Sequence, residues 1–361
     1  MRIAFYAPLK SPEHPTPSGD RQMARLLIRA LTAGGAHVEV ASHLRVYLPA
    51  PSQSQWEECK RQAELEVARI ADAWTSGGAP DLWFCYHPYY KSPDLLGPAL
   101  ARRFGIPYVT AEASYAQRRN DGIWRECQDR VAGSVSLAST NFCFTRRDRD
   151  GLAAAIPSAR LRMLPPFIDC SPFTGVASPG TSTRLVTVAM MRKGDKFDSY
   201  RMLAQALGQL TDLDWRWSVV GDGEMRDDVQ GLFAQLPQDR IEWLGALPPA
   251  DVGGVLTRGG IYVWPGYAEA YGLAYLEAQA AGLPVVAQAT AGVPDVVRDK
   301  LTGLLTPPGD VEGFAVAIRN LIENPQLRGR MAGAARSTVL ESHSLTAAAG
   351  ILRSSLAERV P

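Results

Sequence analysis

The sequence predicts an α/β protein of two Rossmann-like domains, and three observations carry that expectation. Strand-like and helix-like segments alternate in two successive series. A stretch rich in Gly, Ser, Thr and Pro, Thr174–Thr183, separates the two series. The chain has 361 residues, more than one hydrophobic core ordinarily organises. The expected division is residues 1–173, a linker at 174–183, residues 184–343, and a C-terminal helix over 344–361 that packs back on the first domain.

In the first series, Arg2–Ala7 reads as a strand and Pro12–Ser18 as a proline-rich loop. Gly19–Ala33 reads as an amphipathic helix with Met23, Leu26, Leu27, Ala30 and Leu31 on one face, ended by Gly34 and Gly35. Val38–Ala41 is the next strand, Gln53–Trp74 a long charged helix, Asp81–Tyr86 a strand and Leu95–Phe104 a helix. Pro107–Ala111 and Asn141–Thr145 are further strands, with helical residues between them. Strands that each lead into a helix imply a parallel sheet covered on both faces. Near Leu164–Phe173 the pattern loosens.

The second series runs Arg184–Ala189 strand, Tyr200–Leu210 helix, Trp215–Val220 strand, Met225–Leu236 helix and Ile241–Leu244 strand. Ile261–Trp264 then reads as a buried parallel strand, broken by Pro265 and Gly266. The composition from Glu269 to Ala281 predicts a helix, stopped by Gly282 and Pro284. Pro284–Ala289 is a strand, and the tail from Val311 is helical.

The segment Pro265–Val286 carries the strongest functional signal. One carboxylate, Glu269, stands at the strand-to-helix turn, and a second, Glu277, lies inside the helix. The backbone N–H groups of Tyr271, Gly272 and Leu273 would point out of the helix start and, with the helix dipole, form an anion site. Gly272 lets a phosphate approach the backbone closely. Glu277 lies five residues beyond Gly272, roughly 7–8 Å along the axis at about 1.5 Å per residue. That is about the step from a phosphate to a ribose, whose hydroxyls donate well to a carboxylate. Glu269 would face the sugar.

Composition excludes several classes. The chain is 46% hydrophobic and 21% charged with a net charge of +1, so it carries no nucleic-acid footprint. Its five cysteines are odd in number and form no CxxC pair. They read as reduced, mostly buried thiols and not as a zinc site or a disulfide framework. No apolar run approaches the roughly 20 residues of a membrane span. Met1–Pro8 reads as a strand rather than a signal peptide. The expected location is the cytoplasmic side, in solution or resting peripherally on a membrane.

Several motifs in order resemble a known family, the family 4 glycosyltransferases. They are Val219-Val-Gly-Asp-Gly-Glu224, Ile241-Glu-Trp-Leu-Gly245, the Glu269/Glu277 pair, Ala280-Ala-Gly-Leu-Pro-Val-Val286, Gly292-Val-Pro-Asp-Val-Val297 and Thr302-Gly-Leu-Leu-Thr-Pro-Pro-Gly-Asp310. The resemblance covers nearly the whole chain and is strongest from Val186 to Asp310. It implies the GT-B fold, with an N-terminal acceptor domain and a C-terminal donor domain facing each other across a cleft. It further implies transfer of a hexose from a nucleotide sugar to an acceptor hydroxyl with retention, and no metal cofactor.

The same resemblance assigns residues. Glu277 would hold the donor ribose and Glu269 the hydroxyls of the transferred sugar. Tyr271, Gly272, Leu273 and Gly221 would line the donor site. A basic pair after the first strand of the second domain would neutralise the diphosphate. The family has Gly-Arg where this chain has Ala189-Met190, so the expected pair is Arg192 and Lys196. Tyr271 stands where phenylalanine is common, and Asp295 where glutamate is common. In the first domain, Gly19 within Pro17-Ser-Gly-Asp-Arg21 matches a glycine loop that usually has two glycines. His87, ending a strand at the sheet edge where open α/β proteins bind ligands, would approach the transferred sugar. Apart from the resemblance, Glu112, at the end of strand Pro107–Ala111, and Tyr86, an aromatic able to stack on a sugar ring, are expected to face the acceptor, a glycan or a lipid-linked precursor. Among UDP, GDP and ADP, the expected donor nucleotide is UDP, from its frequency in the family.

Four other classes share parts of this pattern. A glycoside hydrolase would use Glu269 and Glu277 as acid and base, but a glycine and a helix start stand between them. A nicotinamide oxidoreductase would need the third glycine of GxGxxG, where Arg226 stands. A UDP-sugar epimerase shares the fold. A non-catalytic sugar-nucleotide-binding protein would bind the donor without turning it over.

Overall fold

A computed structural model of the chain describes residues 1–16, 18–173 and 182–357. It divides into two compact units, Met1–Pro165 with Leu345–Pro361, and Pro166–Ser344. The segment read as a linker lies, over 174–181, outside the described residues.

The first unit contains β1 (Arg2–Tyr6), α1 (Gly19–Ala33), β2 (His37–Val40), α2 (Gln53–Gly77), β3 (Leu82–Tyr86), α3 (Gly97–Phe104), β4 (Tyr108–Ala111), α4 (Gly122–Leu137), β5 (Thr140–Cys143), α5 (Arg146–Ala155) and β6 (Leu161–Met163). Six parallel strands form one sheet in the order β2-β1-β3-β4-β5-β6. All five residues of β3 are buried, as a central strand covered on both faces requires. Its side chains alternate between two layers. Trp83 and Cys85 join Ala4, Tyr6, Leu100 and Ile70 under α2 and α3. Phe84 stacks between Phe5 and Phe142, with ring centroids 5.8 and 6.2 Å away.

Asp94 anchors the entry to α3. Its buried carboxylate accepts from Trp83 Nε1 at 3.0 Å, Tyr108 Oη at 3.0 Å, Leu96 N at 2.9 Å and Gly97 N at 2.8 Å. The helix starts at Gly97 and not at Leu95, because Asp94 takes the Leu96 and Gly97 amides before helical bonding begins. A Cβ on Gly97 would lie 2.2 Å from the Trp83 indole nitrogen, so only glycine fits there.

The second unit contains β7 (Leu185–Val188), α6 (Asp195–Gly208), β8 (Trp217–Val220), α7 (Arg226–Leu232), β9 (Ile241–Gly245), α8 (Pro249–Thr257), β10 (Ile261–Val263), α9 (Leu273–Ala280), β11 (Val285–Gln288), α10 (Val293–Val296), β12 (Gly303–Thr306), α11 (Val311–Glu323) and α12 (Pro325–Ser342). Its six parallel strands run in the order β12-β11-β10-β7-β8-β9, the doubly wound arrangement with a switch point at β7/β10. The first sheet switches at β1/β3. Residues 166–173, read from the sequence as the end of the first domain, pack in this unit. His343 Nδ1 pairs with Pro166 O at 2.7 Å, and Arg336 donates to Phe173 O at 2.8 Å.

The last helix, α13 (Leu345–Ala357), belongs to the first unit and packs on α1. It buries Ala348, Ala349, Leu352 and Leu356. The five cysteines are free thiols, four of them buried.

Candidate active site

In the second unit, candidate residues gather at the C-terminal ends of β7 and β10, which flank the switch point. The loop leaving β7 is tied to the loop leaving β8. Ala189 N donates to Val220 O at 2.9 Å, Met191 N to Asp222 O at 2.9 Å and Met225 N to Met191 O at 3.0 Å. Gly221 and Gly223 make this possible. Their φ angles are 151° and 156°, and a Cβ would lie 1.8 Å from Ala189 O and 2.2 Å from Met191 O, respectively. Gly221, expected as a donor contact, thus shapes the β7 loop through its backbone.

Lys196 lies in the first turn of α6, and its ammonium forms an ion pair with Glu269. The ammonium also stands 5.4 Å from the Trp264 ring centroid. Trp264 Nε1 donates to Glu269 Oε1 at 3.3 Å, and its ring packs edge-on against Tyr200 at 4.9 Å. Trp264 is buried, so the indole fixes the carboxylate from below. Arg192 takes another position. It is exposed on the β7–α6 loop, where Glu224 feels its charge. The Glu224 carboxyl is held below its usual range by its own amide and that of Lys193, and then by the charges of Arg192 and Lys193.

The segment from Pro265 to Gly272 departs from the expected helix. That helix begins at Leu273, with Gly272 as its N-cap, so Glu269 lies in the preceding turn. The cause is a tightly wound loop with positive φ at Gly266 (72°), Ala268 (53°) and Gly272 (77°), which no α-helix accommodates. Tyr275 fills the space beneath. A Cβ on Gly266 would meet its hydroxyl at 2.0 Å, and one on Gly272 its ring at 2.5 Å. The Tyr275 hydroxyl donates to Trp264 O at 3.1 Å. Further ties hold the loop: Tyr267 N to Ser199 Oγ at 3.0 Å, Thr290 Oγ1 to Gly266 O at 3.2 Å and Gly292 N to Ala270 O at 2.7 Å. Tyr271 is buried against this frame, and Glu277 lies half-buried one turn into α9. The α9 N-terminus has no side-chain cap. Ser199 was missed from the sequence, where Trp264, Pro265 and Gly266 were noted only as the end of a strand and a departure from the family pattern.

In the first unit, a second group gathers at the ends of β1, β3 and β4. Ser18 caps α1, accepting from Arg21 N at 3.2 Å. Gly19 opens that helix, and a Cβ there would meet nothing within 4 Å. His87 and Glu112 each follow the last residue of a strand, with φ of 57° and 56°. Left-handed backbone at a residue other than glycine costs about 1–3 kcal/mol and concentrates at functional sites. His87 Nδ1 pairs with Asp20 Oδ1 at 2.9 Å, and its ring stacks on Tyr89 at 5.0 Å. The buried Tyr86 hydroxyl lies near enough to Glu112 to favour its carboxylate form.

The charges are coupled. Burial opposes the His87 imidazolium, but the charge of Glu112, then the hydrogen bond and charge of Asp20, and the charge of Asp148, outweigh it and raise the pKa to about 9. Burial raises Glu112 to about 7, against the pull of His87 and the Tyr86 hydroxyl. A carboxyl raised on folding binds its proton more tightly in the native state, so stability falls as pH rises from the ordinary glutamate range through about 7. Glu112→Gln is therefore expected to raise the stability of the first unit at pH 8 by about 2 kcal/mol and to leave it unchanged at pH 4. Thermal melts at the two pH values measure this; equal effects at both would remove the assigned cause.

Residues 186–338 match the family described as glycosyl transferases group 1. The sulfoquinovosyl transferase SQD2 of Arabidopsis thaliana is 34% identical over 124 residues, which span 34% of this chain and 24% of that protein. The D-inositol 3-phosphate glycosyltransferase of Streptomyces coelicolor is 27% identical over 323 residues, 77% of this chain and 70% of that one. The structure of Anabaena HepE in complex with UDP superposes with a TM-score of 0.73 at 16% identity, covering 99% of this chain and 100% of HepE. HepE has also been seen with UDP-glucose, at a TM-score of 0.69 and 16% identity, with 99% and 100% of the two chains covered.

Proposed function

We infer that this chain, a glycosyltransferase of the GT-B fold, moves a hexose from a nucleoside diphosphate sugar to a hydroxyl of a glycan or lipid-linked acceptor, with retention at the anomeric carbon, as the family 4 enzymes do. The observation that carries this reading is the Lys196–Glu269 pair beside the uncapped start of α9, with Glu277 one turn further on. A diphosphate needs a cation and backbone N–H groups, and Lys196 and the first amides of α9 supply them. Glu277 accepts from the ribose hydroxyls. Glu269 accepts from hydroxyls of the hexose and orients it. In the reaction the acceptor oxygen bonds to the anomeric carbon as the bond to the β-phosphate oxygen breaks. The departing phosphate takes the acceptor proton, and Lys196 with the α9 amides stabilises the diphosphate formed. No metal ion enters this scheme.

HepE, which binds UDP and UDP-glucose, supports a uridine donor as the first to test. Among the described residues no helix is long and apolar enough to cross a membrane. The reading places the enzyme on the cytoplasmic side, where an acceptor lipid can be met at the membrane surface.

Calorimetric titration with UDP, GDP and ADP tests the donor site. One nucleotide is expected to bind, and Glu277→Ala to weaken it about tenfold, or about 1.4 kcal/mol. Binding of none of the three overturns the reading. Equal affinity in the variant removes the ribose role of Glu277.

A further inference from the structure

We propose that Asp20 is a positioning residue for His87, fixing the imidazole so that its Nε2–H is offered as a permanent donor to an oxygen of the sugar substrate. This rests on the reading above that the chain acts on a sugar. The two residues lie 67 positions apart, and the fold joins them because α1 follows β1 and His87 follows β3, the strands flanking the switch point of the first sheet. Ser18 already caps the helix, so Asp20 is not needed for that task. Its carboxylate instead holds Nδ1 at 2.9 Å.

Three constraints act on one ring. The Asp20 bond on Nδ1 selects which nitrogen remains for a ligand. Tyr89, stacked at 5.0 Å and 23°, fixes the ring plane. The left-handed backbone of His87 fixes the direction in which the side chain leaves the strand. The charged groups acting on the imidazole are Asp20 from α1, Glu112 from the end of β4 and Asp148 from α5, all carboxylates, and Lys10 acts in turn on Asp20. Burial raises the Asp20 carboxyl, but the hydrogen bond from His87 and its charge prevail and hold it below its ordinary value. Asp20 is therefore an anion and His87 a cation near neutrality. A ring in that state donates and does not accept, which makes it a donor to substrate oxygen and unsuited to serve as a base.

The test compares Asp20→Asn and Asp20→Glu with the unmodified full-length chain. The ¹⁵N signals of the His87 ring, assigned with His87→Gln among the five histidines, report its protonation and its tautomer. In the unmodified chain the ring is expected to stay protonated to about pH 9. In Asp20→Asn its titration moves at least tenfold in proton concentration toward neutrality, and Asp20→Glu recovers most of the shift. An unchanged titration and tautomer in Asp20→Asn overturns the proposal without any substrate being needed. With the sugar nucleotide whose base the calorimetry identifies, Asp20→Asn is expected to lower kcat about tenfold with KM within twofold, and to move the basic limb of the pH profile down with the ring. A fall in kcat with the limb in place overturns the positioning role. Failure of every sugar nucleotide to turn over counts against the glycosyltransfer reading and the offered donor alike, while the ring signals still decide whether Asp20 fixes His87.

Discussion

Lys196→Ala is expected to lower kcat/KM for the matched sugar nucleotide about 10³-fold, the scale of removing a preorganised charge from a developing diphosphate, about 4 kcal/mol. On the proposed reading, the side chain is held in position before any ligand arrives. Its ammonium is held by Glu269 and stands over the Trp264 ring, so little reorganisation remains to be done when charge develops. The same pairing makes a second, opposite expectation. Glu269 and an incoming diphosphate compete for one ammonium. Glu269→Gln keeps the shape of the side chain and its contact with Trp264 but releases Lys196. The nucleoside diphosphate alone is then expected to bind several-fold more tightly, while turnover of the sugar nucleotide falls about 10²-fold because the hexose loses its carboxylate partner. Calorimetry with the diphosphate and initial rates with the donor measure the two effects separately. If Lys196→Ala turns over within tenfold of the unmodified enzyme, the ammonium has no part in stabilising the leaving group.

Asp94→Ala is expected to destabilise the first unit by about 4 kcal/mol, with no bearing on chemistry at the other sheet. Removing a buried acceptor leaves its donors unpaired, at about 1–3 kcal/mol each before relaxation. Four donors converge on Asp94: the Trp83 indole, the Tyr108 hydroxyl and the Leu96 and Gly97 amides. They come from β3, β4 and the start of α3, so one carboxylate joins three elements. Asp94→Asn keeps an acceptor for the Leu96 and Gly97 amides and is expected to cost about half as much, because the amide nitrogen then faces the Trp83 indole and the Tyr108 hydroxyl, of which only the hydroxyl can turn to accept. Urea-dependent hydrogen exchange of the β3 and β4 amides reads this in the first unit alone. A loss below about 1 kcal/mol for Asp94→Ala would mean that water replaces the carboxylate, and that the network does not hold α3 to the sheet.

Both parallel sheets were legible from the alternation of apolar runs with helix-forming stretches. Gly19–Ala33 shows why: a clean apolar stripe, a serine cap and a glycine stop agree with one another. The elements that escaped notice lack that agreement. In α5, Arg146–Ala155, only Leu152 is buried, and α8 carries two adjacent glycines in its middle. The strands β6 and β12 are three- and four-residue sheet edges with weak apolar character. At the candidate site, Glu269 and Glu277 stood out by type and spacing, and Lys196 only through the family resemblance. Their arrangement did not, because it depends on contacts distant in sequence. Lys196 and Glu269 are 73 residues apart, and Asp20 and His87 are 67 apart. The early helix start was misread for a related reason. Residues 269–272 favour a helix by composition, but the Tyr275 ring and the ties to Ser199 and Gly292 wind them into a loop. Tertiary packing overrode local propensity there.

The helix α13 has a consequence for how the protein is made. Its partner α1 leaves the ribosome first, and α13 leaves about 180 residues after the sheet of the first unit is complete. At about 5–20 residues per second, roughly ten to forty seconds of synthesis separate the two. The second unit is one continuous stretch, Pro166–Ser344, and can finish folding within that interval. Until α13 arrives, the nascent first unit shows Leu31 and its neighbours to solvent with no cover of its own. That surface is closed only when the thirteen residues of α13 have emerged.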